Sequence, residues 1–263
     1  MPEPSLVTHD AGATEHPPVA PPALPFSRRP LIAVTGPAGR GHLAWHFTCA
    51  GLRLVGARSC RLTAKHPVPP EPIDGLLVGG GDDLDPGLYG GEHEASIRID
   101  PDRDAFELQM LAQAREAKLP GLGICRGSQL LNVSRGGDLH GDISHMLARG
   151  RPLRTPLPAK TIRIVPDTRL SRLFGTETCQ VNSLHHQAID SLGEAVRVAA
   201  RDTDDIIQAI EVPNERFTMG VQWHPEYLPQ HRRQRALFRA LVQAAEEYRD
   251  RRVRRLAGRA PHP

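Results

Sequence analysis

The sequence predicts an α/β domain with a mostly parallel central sheet, helices on both faces of that sheet, and a smaller region of antiparallel strands. In the first half of the chain, short apolar runs that end in glycine alternate with stretches of helical periodicity, which is typical of repeated strand–helix units. In the second half, strand-like segments follow one another without helices between them, which favours antiparallel pairing. The 263 residues suffice for one large domain of this class.

The first half supplies the parallel part of the predicted sheet. Apolar runs predict strands at residues 31–35, 52–57, 73–78 and 120–124. Apolar residues at helical spacing predict helices at residues 42–51 and 104–118. Ligands collect beyond the carboxyl ends of parallel strands, so we expect the glycines at 79–81 and the cysteine at 125 to share one cleft.

The second half and the two termini complete the predicted organisation. Short strands are predicted at residues 161–165, 196–200, 206–210 and 217–223, followed by a helix at 230–249. The proline-rich segment 1–29 has no periodicity and is expected to be a disordered arm. One domain is predicted at 30–250, with a basic tail at 251–263, whose arginines are interpreted as a solvated helix end rather than a phosphate-binding patch.

Composition excludes several classes of function. The net charge of +3 is too small to indicate a nucleic-acid-binding protein. There is no basic and apolar leader and no apolar run long enough to cross a membrane, so the expected location is the cytoplasm with no membrane partner. The four cysteines lack close pairing and are expected to be reduced thiols. The aspartates at 82, 83 and 85 and the histidine pairs lack metal-ligand spacing, so neither a metal nor another cofactor is predicted.

Cys125 lies where the predicted strand 120–124 passes into a helical pattern, between Gly123 and Gly127. A Gly-x-Cys-x-Gly unit at such a junction is the thiol version of a nucleophile elbow, a sharp turn that pushes one side chain out of the backbone. Small neighbours are needed because a Cβ at either flank would collide with an adjacent strand or helix. The N-terminus of the following helix would favour the thiolate. The elbow alone leaves a buried structural cysteine as an equal alternative.

A base for this thiol is predicted in the segment Gly-Val-Gln-Trp-His-Pro-Glu at 220–226. A strand runs into His224, and Glu226 follows two residues later, so both side chains point to the same face if the backbone stays extended. Glu226 would then hold one imidazole nitrogen while the other nitrogen faces Cys125. The chain has 13 histidines, and a histidine that merely ends a strand is the alternative interpretation.

Five motifs carry a resemblance to a known family. They are Asp-Gly-Leu-Leu-Val-Gly-Gly-Gly-Asp-Asp-Leu-Asp-Pro (74–86), Arg-Asp-Ala-Phe-Glu (103–107), Gly-Ile-Cys-Arg-Gly-Ser-Gln-Leu-Leu-Asn-Val (123–133), Val-Asn-Ser-Leu-His-His-Gln (181–187) and the 220–226 segment. In this order they resemble the class I glutamine amidotransferase superfamily and, within it, the stand-alone gamma-glutamyl-gamma-aminobutyrate hydrolase family. The likeness covers about residues 30 to 245.

The resemblance implies a flavodoxin-like fold and a set of site residues. The catalytic triad would be Cys125, His224 and Glu226. The implied oxyanion hole consists of the backbone amide of Arg126 and one amide from the loop Gly79, Gly80 and Gly81. The implied substrate contacts are Gln129 for the glutamyl part, with His185 and His186 along the wall of the cleft.

The implied activity is hydrolysis of gamma-glutamyl amines, such as gamma-glutamyl-gamma-aminobutyrate, through a gamma-glutamyl thioester, as in polyamine and putrescine breakdown. The expected partner is this small-molecule substrate, and a homodimer is compatible with the resemblance. Departures from the family pattern at Gly141, Asp205 and Gln208 leave the amine undetermined. Two alternatives stay open: a glutaminase subunit that supplies ammonia to a separate synthetase, and a binding protein that has lost catalysis.

Overall fold

The computed structural model describes residues 29–39, 42–91, 98–148 and 154–257. The helices are α1 (His42–Leu54), α2 (Pro101–Ala117), α3 (Arg126–Val133), α4 (Arg169–Phe174) and α5 (Arg232–Ala257). The first strands are β1 (Leu31–Thr35), β2 (Arg58–Leu62), β3 (Gly75–Val78), β4 (Gly121–Ile124), β5 (Leu139–His140) and β6 (Thr155–Ile164). The remaining strands are β7 (Thr178–Ser183), β8 (Ala188–Ile189), β9 (Arg197–Asp202), β10 (Ile207–Glu211) and β11 (Thr218–Val221). The arm predicted at 1–29 lies almost entirely outside the described residues.

One large sheet has the strand order β2-β1-β3-β4-β11-β10-β9-β6-β7. The five strands from β2 to β11 pair in parallel, and from β11 onward every pairing is antiparallel. The two halves therefore meet at β11, which pairs in parallel with β4 and antiparallel with β10. This arrangement confirms the predicted α/β class, with parallel strands in one part of the sheet and a region of antiparallel strands in the other.

Helices cover both faces of the sheet. On one face, the apolar side of α5 packs with α1, and Leu237, Phe238 and Leu241 are buried there. On the other face, α2 and α3 contribute a second apolar cluster, which includes Met110 and Leu130. Strands β1, β3 and β4 are enclosed between these layers, so their sequences are short and almost entirely apolar.

The strand predicted at 52–57 is wrong. Leu52 and Leu54 belong to the last turn of α1, where Leu52 is completely buried, and Gly56 reverses the chain with a φ of +97°. The strand beside β1 is β2, which begins at Arg58. As an edge strand it is buried mainly at Leu62, so its sequence is polar and carries no apolar run.

The last helix continues beyond the predicted domain end at residue 250. α5 reaches Ala257, and Arg252 binds back onto the sheet. Its guanidinium donates to the carbonyl of Ile73 and pairs with Asp74 Oδ1, both at 2.8 Å. Arg252 therefore anchors the helix to the start of β3, whereas residues 254–257 at the helix end are exposed to solvent. Among the described residues, no helix is long and apolar enough to cross a membrane.

Candidate active site

The sharp strand-to-helix turn predicted at Cys125 is present between β4 and α3. Cys125 has a φ of +52° and a ψ of −110°, a conformation that costs a non-glycine residue of the order of 1–3 kcal/mol. A Cβ at Gly123 would lie 2.5 Å from the carbonyl oxygen of Gly127, and a Cβ at Gly127 would overlap the carbonyl of Val78. The flanking glycines are therefore required for the turn between β4 and α3 to form against β3.

His224 lies beyond the carboxyl end of β11, and its ring is held by Glu226. The His224 Nδ1 atom is 2.6 Å from Glu226 Oε1, and both side chains are buried. The backbone between them is not extended as predicted, because Pro225–Tyr227 forms a 3₁₀ turn. This turn still brings the carboxylate to the ring. The Tyr227 ring stacks on the imidazole of His224, with ring centroids 5.3 Å apart.

Asn182 fixes the backbone of His224. Its Oδ1 accepts the His224 N–H and its Nδ2 donates to the His224 carbonyl, both at 2.8 Å. Asn182 is completely buried on β7, at the far edge of the sheet. Asn182 belongs to the Val-Asn-Ser-Leu-His-His-Gln motif, but the motif does not indicate its role. Only the folded structure shows that Asn182 contacts the backbone of His224, just after β11.

The surroundings of His224 favour its protonated form. Burial lowers the pKa of the imidazole, but the Glu226 carboxylate and the Cys125 sulfur outweigh burial and raise this pKa well above its usual value. Gly80 lies next to both Cys125 and His224. A Cβ added at Gly80 would be 2.7 Å from His224 Cε1 and 3.6 Å from Cys125 Cβ. The predicted cleft between the glycine loop and the cysteine therefore exists.

A network of buried charges supports the glycine loop and was not predicted. Arg103 on α2 donates through Nη2 to the carbonyls of Gly79 and Gly80, at 3.1 and 3.0 Å, and through Nε to Glu107 at 2.9 Å. Arg126, the residue after Cys125, pairs with both Glu107 and Asp104. The sequence marked these residues only as a motif, since pairing between α2 and the elbow is a property of the packed structure.

The predicted substrate contact Gln129 lies beside Cys125 but is held by protein groups. Its Nε2 donates to the carbonyl of Gln187 at 3.0 Å and to Gln222 Oε1 at 3.1 Å. Gln222 in turn directs its Nε2 to the Cys125 sulfur at 3.5 Å. Gln222 is thus a further residue of the site, and its place in the 220–226 motif, two residues before His224, was the available signal.

His185 and His186 differ in environment. Burial lowers the pKa of His185 to about 3, so its ring is neutral, with Nδ1 donating to the Gln187 carbonyl at 2.8 Å. His186 is partly exposed, and its Nε2 lies 3.4 Å from Asp83 while Nδ1 lies 3.3 Å from Arg154 Nη2. Both histidines line the cavity that contains Cys125.

Two cavities meet at the glycine loop. One, of about 300 Å³, contains Cys125, Gln129 and charged groups at its rim. The other, of about 380 Å³, lies on the His224 side and is walled in part by Trp45 and Tyr227. They share three residues: Gly81, Asp82 and Arg98. Among the described residues there is no group of three or more histidines, cysteines or carboxylates that could hold a metal ion.

Comparison with known proteins places the chain in a family. The model of the peptidase C26 family matches residues 70–226, a span that includes the glycine loop, the elbow and the His224–Glu226 turn. The chain belongs to the peptidase C26 family. This membership agrees with the resemblance to class I glutamine amidotransferases found in the sequence.

Similar proteins with related descriptions come from several organisms. The chain is 42% identical over 199 residues to a "Putative glutamine amidotransferase" of Mycobacterium tuberculosis, covering 69% of this chain and 62% of that protein. It is 32% identical over 187 residues to gamma-glutamyl-gamma-aminobutyrate hydrolase PuuD of Escherichia coli K12, covering 67% of this chain and 73% of that protein. The chain thus spans less than two thirds of the mycobacterial relative.

A solved structure supports the flavodoxin-like fold of this C26 chain. It comes from Thermoplasma acidophilum, is described as a "putative gmp synthase subunit a protein", and superposes with a TM-score of 0.62. The match covers 86% of this chain and 98% of the other, at 17% sequence identity. At this identity the likeness concerns the fold alone.

Proposed function

We propose that this C26 protein is a cysteine-dependent hydrolase that cleaves the amide bond of gamma-glutamyl amines. One observation carries the proposal: the strained Cys125 faces a histidine whose ring is held by Glu226 at 2.6 Å. A strained backbone persists only where the surrounding structure enforces it, and such positions cluster at functional sites. A buried structural cysteine, the alternative left open by the sequence, would need neither the strain nor a paired imidazole beside it.

The proposed first half-reaction forms a thioester. The Cys125 sulfur attacks the gamma-carbonyl carbon, and the carbonyl oxygen becomes an oxyanion that accepts hydrogen bonds from the Arg126 amide and the glycine loop. The His224 imidazolium gives its proton to the amide nitrogen, the carbon–nitrogen bond breaks, and the amine leaves. A gamma-glutamyl thioester then remains on Cys125.

The second half-reaction releases glutamate. His224, now neutral, takes a proton from water as the water oxygen attacks the thioester carbonyl. The carbon–sulfur bond breaks, and the sulfur leaves as a thiolate beside the protonated imidazole. Glu226 holds Nδ1 throughout, so Nε2 stays directed at the reacting atoms. The site is then ready for another substrate.

The charges around Cys125 suit an amino-acid-like acyl group. A gamma-glutamyl group carries a carboxylate and an ammonium on one carbon, and the 300 Å³ cavity is lined by the cations Arg98 and Arg154 and by the carboxylates Asp82 and Asp83. Among the described residues, Arg98 has no ion pair within the cavity, which leaves its guanidinium available to a carboxylate. The name of the Escherichia coli relative supports the same acyl group.

A second candidate is a glutaminase that passes ammonia to a synthetase. It is favoured by the description of the mycobacterial relative as an amidotransferase. Both candidates use the same acyl group and differ only in the leaving nitrogen. The choice between them therefore depends on whether the free protein prefers glutamine or a substituted gamma-glutamyl amide.

The test is a panel of gamma-glutamyl amides, including glutamine and gamma-glutamyl-gamma-aminobutyrate, assayed for glutamate release. We expect the wild type to turn over at least one substituted amide, Cys125→Ala to be inactive, and Cys179→Ala, a matched control at a partly buried cysteine, to remain active. Rapid quenching should trap an acyl adduct on Cys125 by mass spectrometry. Undiminished glutamate release by Cys125→Ala would overturn the proposal, and activity only on glutamine with a synthetase added would favour the second candidate.

A further inference from the structure

The Arg103 guanidinium binds two consecutive carbonyls of the glycine loop. Its Nη2 atom is 3.1 Å from the Gly79 oxygen and 3.0 Å from the Gly80 oxygen. These carbonyls belong to the peptide groups 79–80 and 80–81. A trans peptide is planar, and its C=O and N–H point in opposite directions. Holding the two carbonyls toward Arg103 therefore turns the N–H groups of Gly80 and Gly81 away from it.

Gly80 lies at the reacting groups, as shown by the contacts that a Cβ there would make with His224 and Cys125. Gly81 packs directly on Arg103, because a Cβ at Gly81 would overlap the guanidinium. The loop is thus held between Arg103 on one side and the Cys125–His224 pair on the other. The N–H of Gly79 belongs to the preceding peptide group, which Arg103 does not hold.

Arg103 is itself rigidly placed. It is nearly completely buried, and its Nε donates to Glu107, one turn later on α2. Glu107 also pairs with Arg126, whose backbone amide begins α3 directly after the nucleophile. Both proposed sources of oxyanion donors, the loop and the first amide of α3, are therefore linked to the same buried carboxylate.

We infer that Arg103 is a positioning residue that orients the Gly80 and Gly81 amides toward the oxyanion formed at Cys125. The inference rests on the proposed function and narrows the donor in the loop to Gly80 or Gly81. Arg103 does not touch the reacting atoms and acts only through the two peptide groups it holds. Its loss should therefore weaken binding of the transition state more than binding of the substrate.

The first variant is Arg103→Lys, which keeps the charge but cannot hold both carbonyls and Glu107 with one planar group. We expect kcat to fall by about 10²-fold with KM within about threefold, the loss typical of one misplaced oxyanion donor. Alkylation of Cys125 by iodoacetamide needs no oxyanion, so its rate should stay within about twofold of the wild type. The affinity for a gamma-glutamyl aldehyde, which forms a tetrahedral adduct, should fall in proportion to kcat/KM.

A second variant tests whether a loss of kcat in Arg103→Lys could be due to misfolding. The double substitution Arg103→Gln with Glu107→Gln removes one positive and one negative charge together and leaves Arg126 paired with Asp104. It should reproduce the loss of kcat and the retained alkylation rate. A kcat within twofold of the wild type in a folded variant would overturn the inference, as would an alkylation rate that falls in parallel with kcat.

A readout independent of turnover separates this inference from the proposed function. In protein labelled with ¹⁵N-glycine, the order parameters of the Gly80 and Gly81 amides should be near 0.85 in the wild type and below about 0.6 in Arg103→Lys. If the wild type hydrolyses no gamma-glutamyl amide but the order parameters fall as expected, the proposed function fails and the positioning role stands. Unchanged order parameters would overturn the positioning role whatever the activity.

Discussion

Asn182 and His224 exchange two hydrogen bonds of 2.8 Å, although they lie 42 residues apart on the chain. The amide side chain satisfies both the N–H and the carbonyl of the histidine backbone, at a position buried from solvent. The imidazole thus has a fixed backbone position as well as a fixed ring orientation. The hydrogen bond to Glu226 restricts rotation of the imidazole ring, and the two hydrogen bonds with Asn182 fix the position of the backbone that carries it.

Replacement of Asn182 by alanine should impair both stability and catalysis. The substitution leaves a buried N–H and a buried carbonyl unpaired, at a cost of about 1–3 kcal/mol each before relaxation. Displacement of His224 should lower kcat by about 10–100-fold. Urea unfolding and glutamate release measure the two effects. Gln180→Ala, at an exposed position two residues earlier on the same strand, is the control and should change neither by more than about 0.5 kcal/mol or twofold.

The strain at Cys125 should appear as a stability difference between two inactive variants. Cys125→Ala and Cys125→Gly both remove the sulfur, but only glycine relieves a φ of +52°. We expect the glycine variant to be more stable than the alanine variant by about 1 kcal/mol in urea unfolding. The control pair at Cys179 on β7 should show the opposite order, because glycine weakens a strand. An alanine variant at 125 as stable as the glycine variant would contradict the strained turn.

The raised pKa of His224 predicts a specific dependence of stability on pH. A histidine that binds its proton more tightly in the folded state contributes stability below its unfolded pKa of 6.5, and this contribution is lost as pH rises through the folded pKa. The free energy of unfolding of the wild type should therefore decline above pH 6.5. Glu226→Gln removes the main cause of the raised pKa, so its decline should be smaller.

The control for this pH dependence is His231→Gln, which changes an exposed histidine and should keep the wild-type slope. His224→Gln should flatten the slope as Glu226→Gln does, because both remove the same proton linkage. Equal slopes in the wild type and Glu226→Gln would show that the carboxylate does not raise the pKa of His224.

The buried charge network predicts a large difference between two glutamates. Glu107→Gln leaves Arg103 and Arg126 with one carboxylate between them in a fully buried site, and we expect it to cost about 3–5 kcal/mol. Glu194→Gln breaks an exposed pair with Arg115 and should cost less than about 1 kcal/mol. Chemical denaturation measures both. A cost below 1 kcal/mol for Glu107→Gln would mean that the network does not depend on this carboxylate.

The strands that were predicted well from the sequence are those buried on both faces of the sheet. Strands β1, β3 and β4 are enclosed on both faces, so an apolar run was sufficient to find them. Strand β2 was misplaced and β7 was not found, because edge strands expose one side and carry polar residues. The C-terminal end of α5, residues 250–257, lies beyond the predicted helix because its arginines were interpreted as a solvated end, although Arg252 is paired with Asp74.

In the site, too, the features that depend on residues close together in the sequence were predicted, and those that depend on distant residues were not. The elbow depends on Gly123 and Gly127, which are neighbours of Cys125 in the chain, and it was predicted with its physical reason. The Glu226–His224 contact was predicted from an extended backbone, and the structure reaches it through a 3₁₀ turn instead. The supporting groups Asn182 and Arg103 come from distant segments, and no local pattern reveals which backbone atoms they hold.

The position of β11 has a consequence for biosynthesis. This strand lies in the middle of the sheet, yet it is the last strand of the described chain and the one that carries His224 to the site. A ribosome that has made residues up to the elbow has therefore produced Cys125 without His224, the base in the proposed function. Under the proposed function, Cys125 therefore gains its catalytic partner only when β11 fills the centre of the sheet, so activity would arise together with the finished fold.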